Sequence, residues 1–561
     1  MKKVLASLLL LAGLCAQAKP TVFPVSLSCN DMVDPVAVSD VSFSWKLRSD
    51  VRAARQTAYE IWVGSTSNCG GDVWKSGKVV SDDQLDITIP PTVTLEEGKR
   101  YFWKVRIWDG SGKVSPWTKA ASFTKSIDNS WEADWIATGK TEDGPFPYFR
   151  KTCLIGKGKV RRAFVYLCGL GCSQLYLNGR AVEPDRILDP AQTDYDKKAG
   201  LPFMIAPGKR LCGVASPDWG TAVVQLPWHL YVYYGNKRIL RDYYDMMSHW
   251  VRHIASTAVD GIVYEGLSDW CPTFSSHEHN GTVVEFSSSA FHLLDLGIMV
   301  KTARLLGKEE DLEWFEKQEE YVRKAIVSKF FNPLKCSFGG QTADAMALEL
   351  GLFPEDRRQE ATQAIMYDIN TGHKFLDVGV FGLSRIGSEL SRNGASAQAF
   401  GLFTKKGENS FGVMVDSLKV TTLWEILPVR SDIYAKSHGS HNHPMQGGYE
   451  SWILEDVAGL RPVEDNPGFK TVMFYPRHTA DLEWAKATVD TRYGVTSTSW
   501  RKEAGKLVWD IVIPAGADGL VHIPEGKKAT VDGEAVSFGI KSLNGEDFQV
   551  FPSGSYHIVV E

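Results

Sequence analysis

Hydrophobic and polar residues change their spacing several times along this chain, and each change predicts a different kind of structure. Between residues 21 and 125 they alternate with a period of two. "QTAYEIWVGS" puts Tyr59, Ile61 and Val63 on one face, and "RYFWKVRIWDGSG" does the same with Tyr101, Trp103, Val105 and Ile107 before an Asp109-Gly110 turn. Short strands between turn signals predict a β-sandwich of fibronectin type. Trp103 and Trp108 read as core or edge packing rather than ligand platforms. Residues 131–200 are β-patterned again, with a tight hairpin expected at Asn178-Gly179, where both residues tolerate positive φ. A jelly roll needs about eight strands and this stretch holds about four or five, so its sheet reads as unfinished.

From Ala222 to about Leu460 the apolar residues recur at threes and fours, the spacing of amphipathic helices. "AVVQLPWHLYVYYG", "EEDLEWFEKQEEYVRKAIVSKF" and "GVFGLSRIGSELSRNG" are among about nine such segments, joined by loops carrying Gly, Asp or Asn. Helices in series predict a toroid of helical hairpins of (α/α)6 type, apparently incomplete because six hairpins need twelve helices. Residues 468–561 return to strands and predict a C-terminal β-sandwich. The expected fold is therefore multidomain, with both α and β parts. Its expected boundaries are a fibronectin-like sandwich over 19–127, a partial jelly roll over 128–200, a helical toroid over 201–465 lacking its first part, and a β-sandwich over 466–561.

The first eighteen residues have another purpose. Lys2 and Lys3 precede the apolar run "VLASLLLLAGL", which ends at Ala16-Gln17-Ala18, the pattern of a secretory signal. Cys15 raises a lipoprotein alternative, but Leu14 before it is too large for a good lipid-attachment motif. No later apolar stretch reaches the ~20 residues needed to span a bilayer. The expected product is exported, periplasmic or extracellular. At 561 residues, with 43% hydrophobic and 23% charged residues, the composition is that of ordinary folded domains. A net charge of -5 gives no basic stripe for nucleic acid. The cysteines beyond the leader are scattered without a Cys-x-x-Cys pair, which argues against zinc and for isolated buried thiols.

Candidate chemistry lies in the helical part. In "SLKVTTLWEILPV" a Trp424–Glu425 pair precedes a histidine-rich loop carrying His438, His441 and His443. Cleaving a glycosidic bond takes two carboxyl groups on opposite sides of it, one protonating the leaving oxygen and the other activating water or attacking. Aromatic rings beside them pack on the apolar face of a sugar. Two further loops repeat an acid beside an indole: Asp218–Trp219 in "ASPDWGTA" and Asp269–Trp270 in "GLSDWCP". Each pair alone also suits a helix cap beside a packed aromatic ring. If the three loops converge at one end of the toroid, they build a sugar cleft. The histidines suit donation to sugar hydroxyls; no acidic or cysteine partner stands at ligand spacing, so neither metal nor cofactor is expected.

These ordered segments resemble the bacterial α-L-rhamnosidases of glycoside hydrolase family 78. "YFWKVRIWDGSGKVSPW" resembles that family's opening domain, and "WEADWIA", "YLNGRAV" and "LDPAQTDYDKKA" its lectin-like β domain. "SPDWGTAVVQLPWHLYVYYGNKRIL", "GLSDWCP", "TTLWEIL" and "SHNHPMQGGYESWILEDVAGLRP" resemble the later two-thirds of its toroid, and "PGFKTVMFYP" the start of its C-terminal sandwich. The resemblance implies inverting hydrolysis of terminal α-L-rhamnose from plant polysaccharides or glycosides, with Glu425 as general base. It implies that Trp270 and His443 line the rhamnose pocket with His441, Asp218 and Trp219, beside Trp424 and Asp269. The family's general-acid segment, Asp-Cys-Pro-x-Arg-Glu followed closely by Gly-Trp-x-Gly-Asp, has no counterpart here. The join at Gly200 reads as an internal deletion that removes the acid, part of the jelly roll and the first helices. That leaves a catalytically impaired carbohydrate-binding remnant as the alternative. A helical-toroid polysaccharide lyase would need a Tyr or His base with an Arg or metal to neutralise a uronate, and no clear set is present.

Overall fold

The computed structural model describes residues 19–561 apart from 131, 135, 137–147, 155–158, 161–162, 168–172, 183–215, 270–280, 373–375, 409, 426–439, 478–480 and 536. The expected leader, the join at Gly200, Trp270 and His438 lie outside the described residues. The chain opens with β1 (Phe23–Cys29), β2 (Ser42–Arg48), β3 (Gln56–Gly64), β4 (Trp74–Lys75), β5 (Ile87–Thr88), β6 (Arg100–Asp109) and β7 (Ala121–Thr124). They form one sheet of order β1-β2-β5 and a second of order β4-β3-β6-β7. The alternation read in β6 is realised: Tyr101, Trp103, Val105 and Ile107 face the core at no more than 3% exposure. Trp45, fully enclosed between the sheets, donates its indole N–H to Gln56 at 3.0 Å.

In the expected jelly-roll region the described strands are β8 (Tyr176–Leu177) and β9 (Arg180–Ala181), an antiparallel hairpin. Its Asn178-Gly179 turn has φ of 51° and 78°, the conformation these two residues adopt at little steric cost. Large apolar side chains in this region stand in solvent, with Tyr148 95% and Leu154 99% exposed.

The helical part comprises α1 (Pro217–Gly220), α2 (Ala222–Tyr234), α3 (Lys237–Asp242), α4 (Tyr244–Thr257), α5 (Val284–Leu306), α6 (Glu309–Phe330), α7 (Gln341–Glu349), α8 (Arg358–Tyr367), α9 (Val380–Arg392), α10 (Ser396–Thr404) and α11 (Glu450–Trp452). Each helical segment read from the sequence is helical here. α6 shows why. Glu309, Glu310 and Asp311 fill its first turn and Lys329 its last, opposing the helix dipole, while Phe315, Val322 and Ile326 form one buried stripe. α5 is its hairpin partner and the central element, buried on most of its circumference. Gly307 ends it at φ 68°, a left-handed cap that lets the Lys308 amide return to Ala303.

The C-terminal region holds β10 (Leu460–Pro462), β11 (Thr471–Phe474), β12 (Trp484–Asp490), β13 (Val495–Glu503), β14 (Lys506–Ile513), β15 (Asp518–Val521), β16 (Ala529–Val531), β17 (Ile540–Leu543), β18 (Glu546–Phe551) and β19 (Gly554–Val560). Two five-stranded sheets, β10-β11-β15-β18-β17 and β12-β13-β14-β19-β16, enclose Trp500, Trp509 and Phe474. Arg492 ties three regions together. It pairs with Asp31 and Asp86 of the N-terminal sandwich, both at 2.7 Å, and donates to the carbonyl of Tyr234 at the end of α2.

Candidate active site

The three acid–indole pairs have different fates. Glu425 sits on a segment hydrogen-bonded to the histidine loop: its amide donates to the Ser440 carbonyl at 2.9 Å, and the His443 amide to the Leu423 carbonyl at 2.8 Å. Among the described residues, its carboxylate accepts the Ser440 amide at 2.9 Å and lies 4.0 Å from His443 Nδ1. Both side chains keep about a quarter of their surface in solvent. A carboxylate held by one backbone donor, beside an imidazole and partly open to water, can accept a proton from that water.

Trp424 points the other way. It is 3% exposed and belongs to the helical core, and the exposed His441 ring stacks on it at 4.1 Å and 9°. The two neighbours thus differ in burial, Trp424 enclosed and Glu425 partly open. The expectation that Trp424 contacts sugar is corrected: it anchors the segment and supports His441.

Asp269 is also corrected. It is 0% exposed, and its carboxylate accepts the amides of Gly379 (2.7 Å), Phe381 (2.7 Å) and Gly382 (3.4 Å), together with the Thr342 hydroxyl. It caps α9, satisfying the amides that the first helical turn leaves without partners. Burial raises its pKa against the lowering effect of these donors. With no face open to solvent it cannot touch a saccharide. Glu265, the other carboxyl on this loop, is exposed. Asp218 is 6% exposed and accepts the Leu267 amide at 2.6 Å, linking α1 to the loop that carries Asp269. Its second oxygen has no partner among the described residues. Trp219 is half-buried and meets Phe381 edge-on at 6.3 Å.

The loops that carry Asp269 and Trp219 meet at the first turn of α9, and Gly448 reaches its second turn. Asp269 caps the first turn, Trp219 packs on its Phe381, and Gly448 lies so close to Ser384 that a β-carbon there would stand 2.7 Å from the serine's own. The sequence reading missed Gln446. This fully buried amide donates to the Glu425 carbonyl at 2.7 Å and fixes the backbone that carries the carboxylate. Its only sequence signal was a polar residue inside the Gly-rich loop. A largely apolar groove of about 590 Å3 adjoins the segment, lined by Thr422, Leu423, Phe403, Trp452 and Trp484. Among the described residues, no group of three or more His, Cys, Asp or Glu could hold a metal ion.

A chain with an immunoglobulin-like opening domain, paired helices around a carboxylate–histidine loop, and a closing β-sandwich has the architecture of a six-hairpin glycosidase. Residues 181–457 match the bacterial α-L-rhamnosidase six-hairpin glycosidase domain. Residues 24–127 match the Rha78A-like N-terminal immunoglobulin domain, 158–202 the α-L-rhamnosidase N-terminal domain, and 459–538 the bacterial α-L-rhamnosidase C-terminal domain. In order along the chain, its segments thus match the domains of bacterial α-L-rhamnosidases.

Its curated relatives include an α-L-rhamnosidase of Formosa agariphila, 28% identical over 364 residues, which are 63% of this chain and 37% of the relative. Another, from Alteromonas sp. (strain LOR), is 26% identical over 310 residues, 53% of this chain and 34% of the relative. The chain therefore spans well under half the length of these relatives. The fold resembles the α-L-rhamnosidase of Dictyoglumus thermophilum, at a TM-score of 0.76 and 18% identity, covering 96% of this chain and 99% of that one. It resembles equally the Streptomyces avermitilis α-L-rhamnosidase complexed with L-rhamnose, at 0.76 and 14% identity, covering 96% and 100%.

Proposed function

We propose that this chain is an exported α-L-rhamnosidase-type hydrolase that removes terminal α-L-rhamnose from plant glycosides or polysaccharides with inversion. The observation that carries the reading is Glu425, held by the Ser440 amide beside His443 and open to solvent. In this reading Glu425 takes a proton from water as that water bonds to the anomeric carbon, the glycosidic C–O bond breaks on the opposite face, and the leaving oxygen takes its proton from solvent. His443 and Trp270 bind the sugar hydroxyls and ring, with His441 and Trp219 at the margin. Export rests on the Lys2–Ala18 pattern; among the described residues no helix is long and apolar enough to cross a membrane.

The test is release of p-nitrophenol from its α-L-rhamnoside by the full chain and by Glu425→Gln. Loss of a general base lowers the rate about 10²–10⁴-fold, and proton NMR of the first product should show the β-anomer. Activity unchanged in Glu425→Gln refutes the assignment.

A second reading is favoured by the missing Asp-Cys-Pro-x-Arg-Glu segment and by the burial of Asp218 and Asp269, which leaves neither placed to replace the lost acid. The chain is then a carbohydrate-binding remnant shaped by a deletion near residue 200. Rhamnose binding by calorimetry without turnover is its signature.

A further inference from the structure

We propose that the outer face of the β4-β3-β6-β7 sheet binds an anionic polysaccharide, a polymer of uronate-bearing sugars. The alternation that sends Trp103, Val105 and Ile107 inward sends Lys104, Arg106 and Trp108 outward on the same strand. Strand pairing sets Lys75 opposite Trp62 and Trp62 opposite Lys104, so β4, β3 and β6 carry a cation–indole–cation row across the sheet.

Both lysines of the row hold their ammonium groups over Trp62, at 4.4 Å for Lys75 and 4.9 Å for Lys104. Trp117 leans on Trp62 at 4.7 Å and lies 5.3 Å from Lys104 and 4.7 Å from the Arg106 guanidinium. Lys78 stands over Trp108 at 4.5 Å. Trp108, read from sequence as packing, thus serves the surface. Glu60 neutralises Arg106 at 2.6 Å and takes the Trp62 indole N–H at 2.9 Å. Lys75, Lys78 and Lys104 pair with no carboxylate among the described residues.

A chain of net charge -5 therefore carries a local patch of unneutralised cations. The indoles restrain lysine heads that would otherwise sweep through solvent, which lowers the entropy lost when an anion binds. Both ammonium groups stand over the one Trp62 ring, so Lys75 and Lys104 present their charges no more than about 9 Å apart on a flat face. That spacing suits an extended polymer bearing one carboxylate per sugar, whose apolar ring faces can lie against indole edges. Nucleic acid carries a charge every ~1.7 Å of duplex and needs a denser basic surface. The inference does not depend on Glu425.

Affinity electrophoresis of the full chain in polygalacturonate, with neutral dextran as blank, tests it. Retardation by polygalacturonate alone is expected, weakening as salt rises from about 50 to about 300 mM. Lys75→Gln/Lys104→Gln should weaken binding about tenfold, and Lys78→Gln should weaken it less; Lys317→Gln/Lys324→Gln on α6 should leave it unchanged. All are exposed or half-exposed polar positions, and circular dichroism checks the fold. Lack of retardation, retention that survives both sheet variants, or tighter binding to DNA or phosphatidylglycerol vesicles overturns the proposal.

Discussion

Replacing Asp269 by Ala removes the acceptor for three close donors, the Gly379 and Phe381 amides and the Thr342 hydroxyl, all in a site closed to water. A buried donor left without a partner costs about 1–3 kcal/mol. Some relaxation is expected, and the wild type already carries a desolvation penalty, seen in the raised pKa of the carboxyl. The net loss should be about 3–4 kcal/mol, above the about 0.5–2 kcal/mol of an ordinary lost cap because this one serves several donors. Asp269→Asn keeps one acceptor and presents N–H groups to some of the same donors, for a loss of about 1–2 kcal/mol. Hydrogen exchange by mass spectrometry on peptides spanning 376–392 reads the effect locally, avoiding the assumption that a multidomain chain unfolds in one step. Protection should fall more than about 100-fold in the Ala variant, since 1.4 kcal/mol is tenfold. Because burial raises this pKa, the carboxyl contributes most to stability at acid pH and less as pH rises, so the difference between wild type and Ala should shrink above the ordinary carboxylate range. Exchange within about threefold of wild type throughout 376–392 refutes the capping argument.

Two buried groups give opposite pH signatures. Burial raises the Asp344 pKa from 3.8 to about 7, so its contribution is full below 3.8 and lost as pH rises through 7; relative to Asp344→Asn, the wild type should gain about 2 kcal/mol between pH 7 and 5 in urea titrations. Burial lowers His292 from 6.5 to about 3, and neither ring nitrogen has a partner among the described residues. Protonation of the unfolded chain then removes stability as pH falls below 6.5, by about 2 kcal/mol at pH 5, and His292→Leu should abolish that slope. Gly220→Ala would set a β-carbon 1.9 Å from the Trp250 ring, whose indole N–H is tied to Asp295; a loss of about 2–3 kcal/mol should appear as a lower melting temperature. Arg492→Met leaves Asp31 and Asp86 without their counter-charge, and limited proteolysis should release the N-terminal sandwich about thirtyfold faster, for about 2 kcal/mol.

The difference between the legible and the hidden parts of this chain lies in the range of the forces. Helix α6 could be read residue by residue, because its acidic start, basic end and apolar stripe act within a few turns. The inward face of β6 was equally legible from its period of two, and the Asn178-Gly179 hairpin from its turn chemistry. The acid–indole pairs looked alike in sequence yet serve different ends. What Asp269 does is decided by amides 110 and 112 residues away, and no local pattern contains that information. Trp424 and Glu425 are neighbours of the same residue types as the other pairs, yet one is enclosed by the core and the other is partly open. The pattern suggested two accessible side chains where the structure offers one. Gln446 and Ser440 escaped notice for a related reason: they act on Glu425 through a side-chain amide and a backbone amide, and a backbone donor carries no mark of residue type. The same limit applied to Trp108, whose inward or outward sense follows from its register with the core residues of β6. Once Ile107 is placed inside, Trp108 must stand outside, where Lys78 and Arg106 meet it. Chemistry-bearing residues in this fold are therefore best read through the phase of the element that carries them, and only afterwards through the residue beside them.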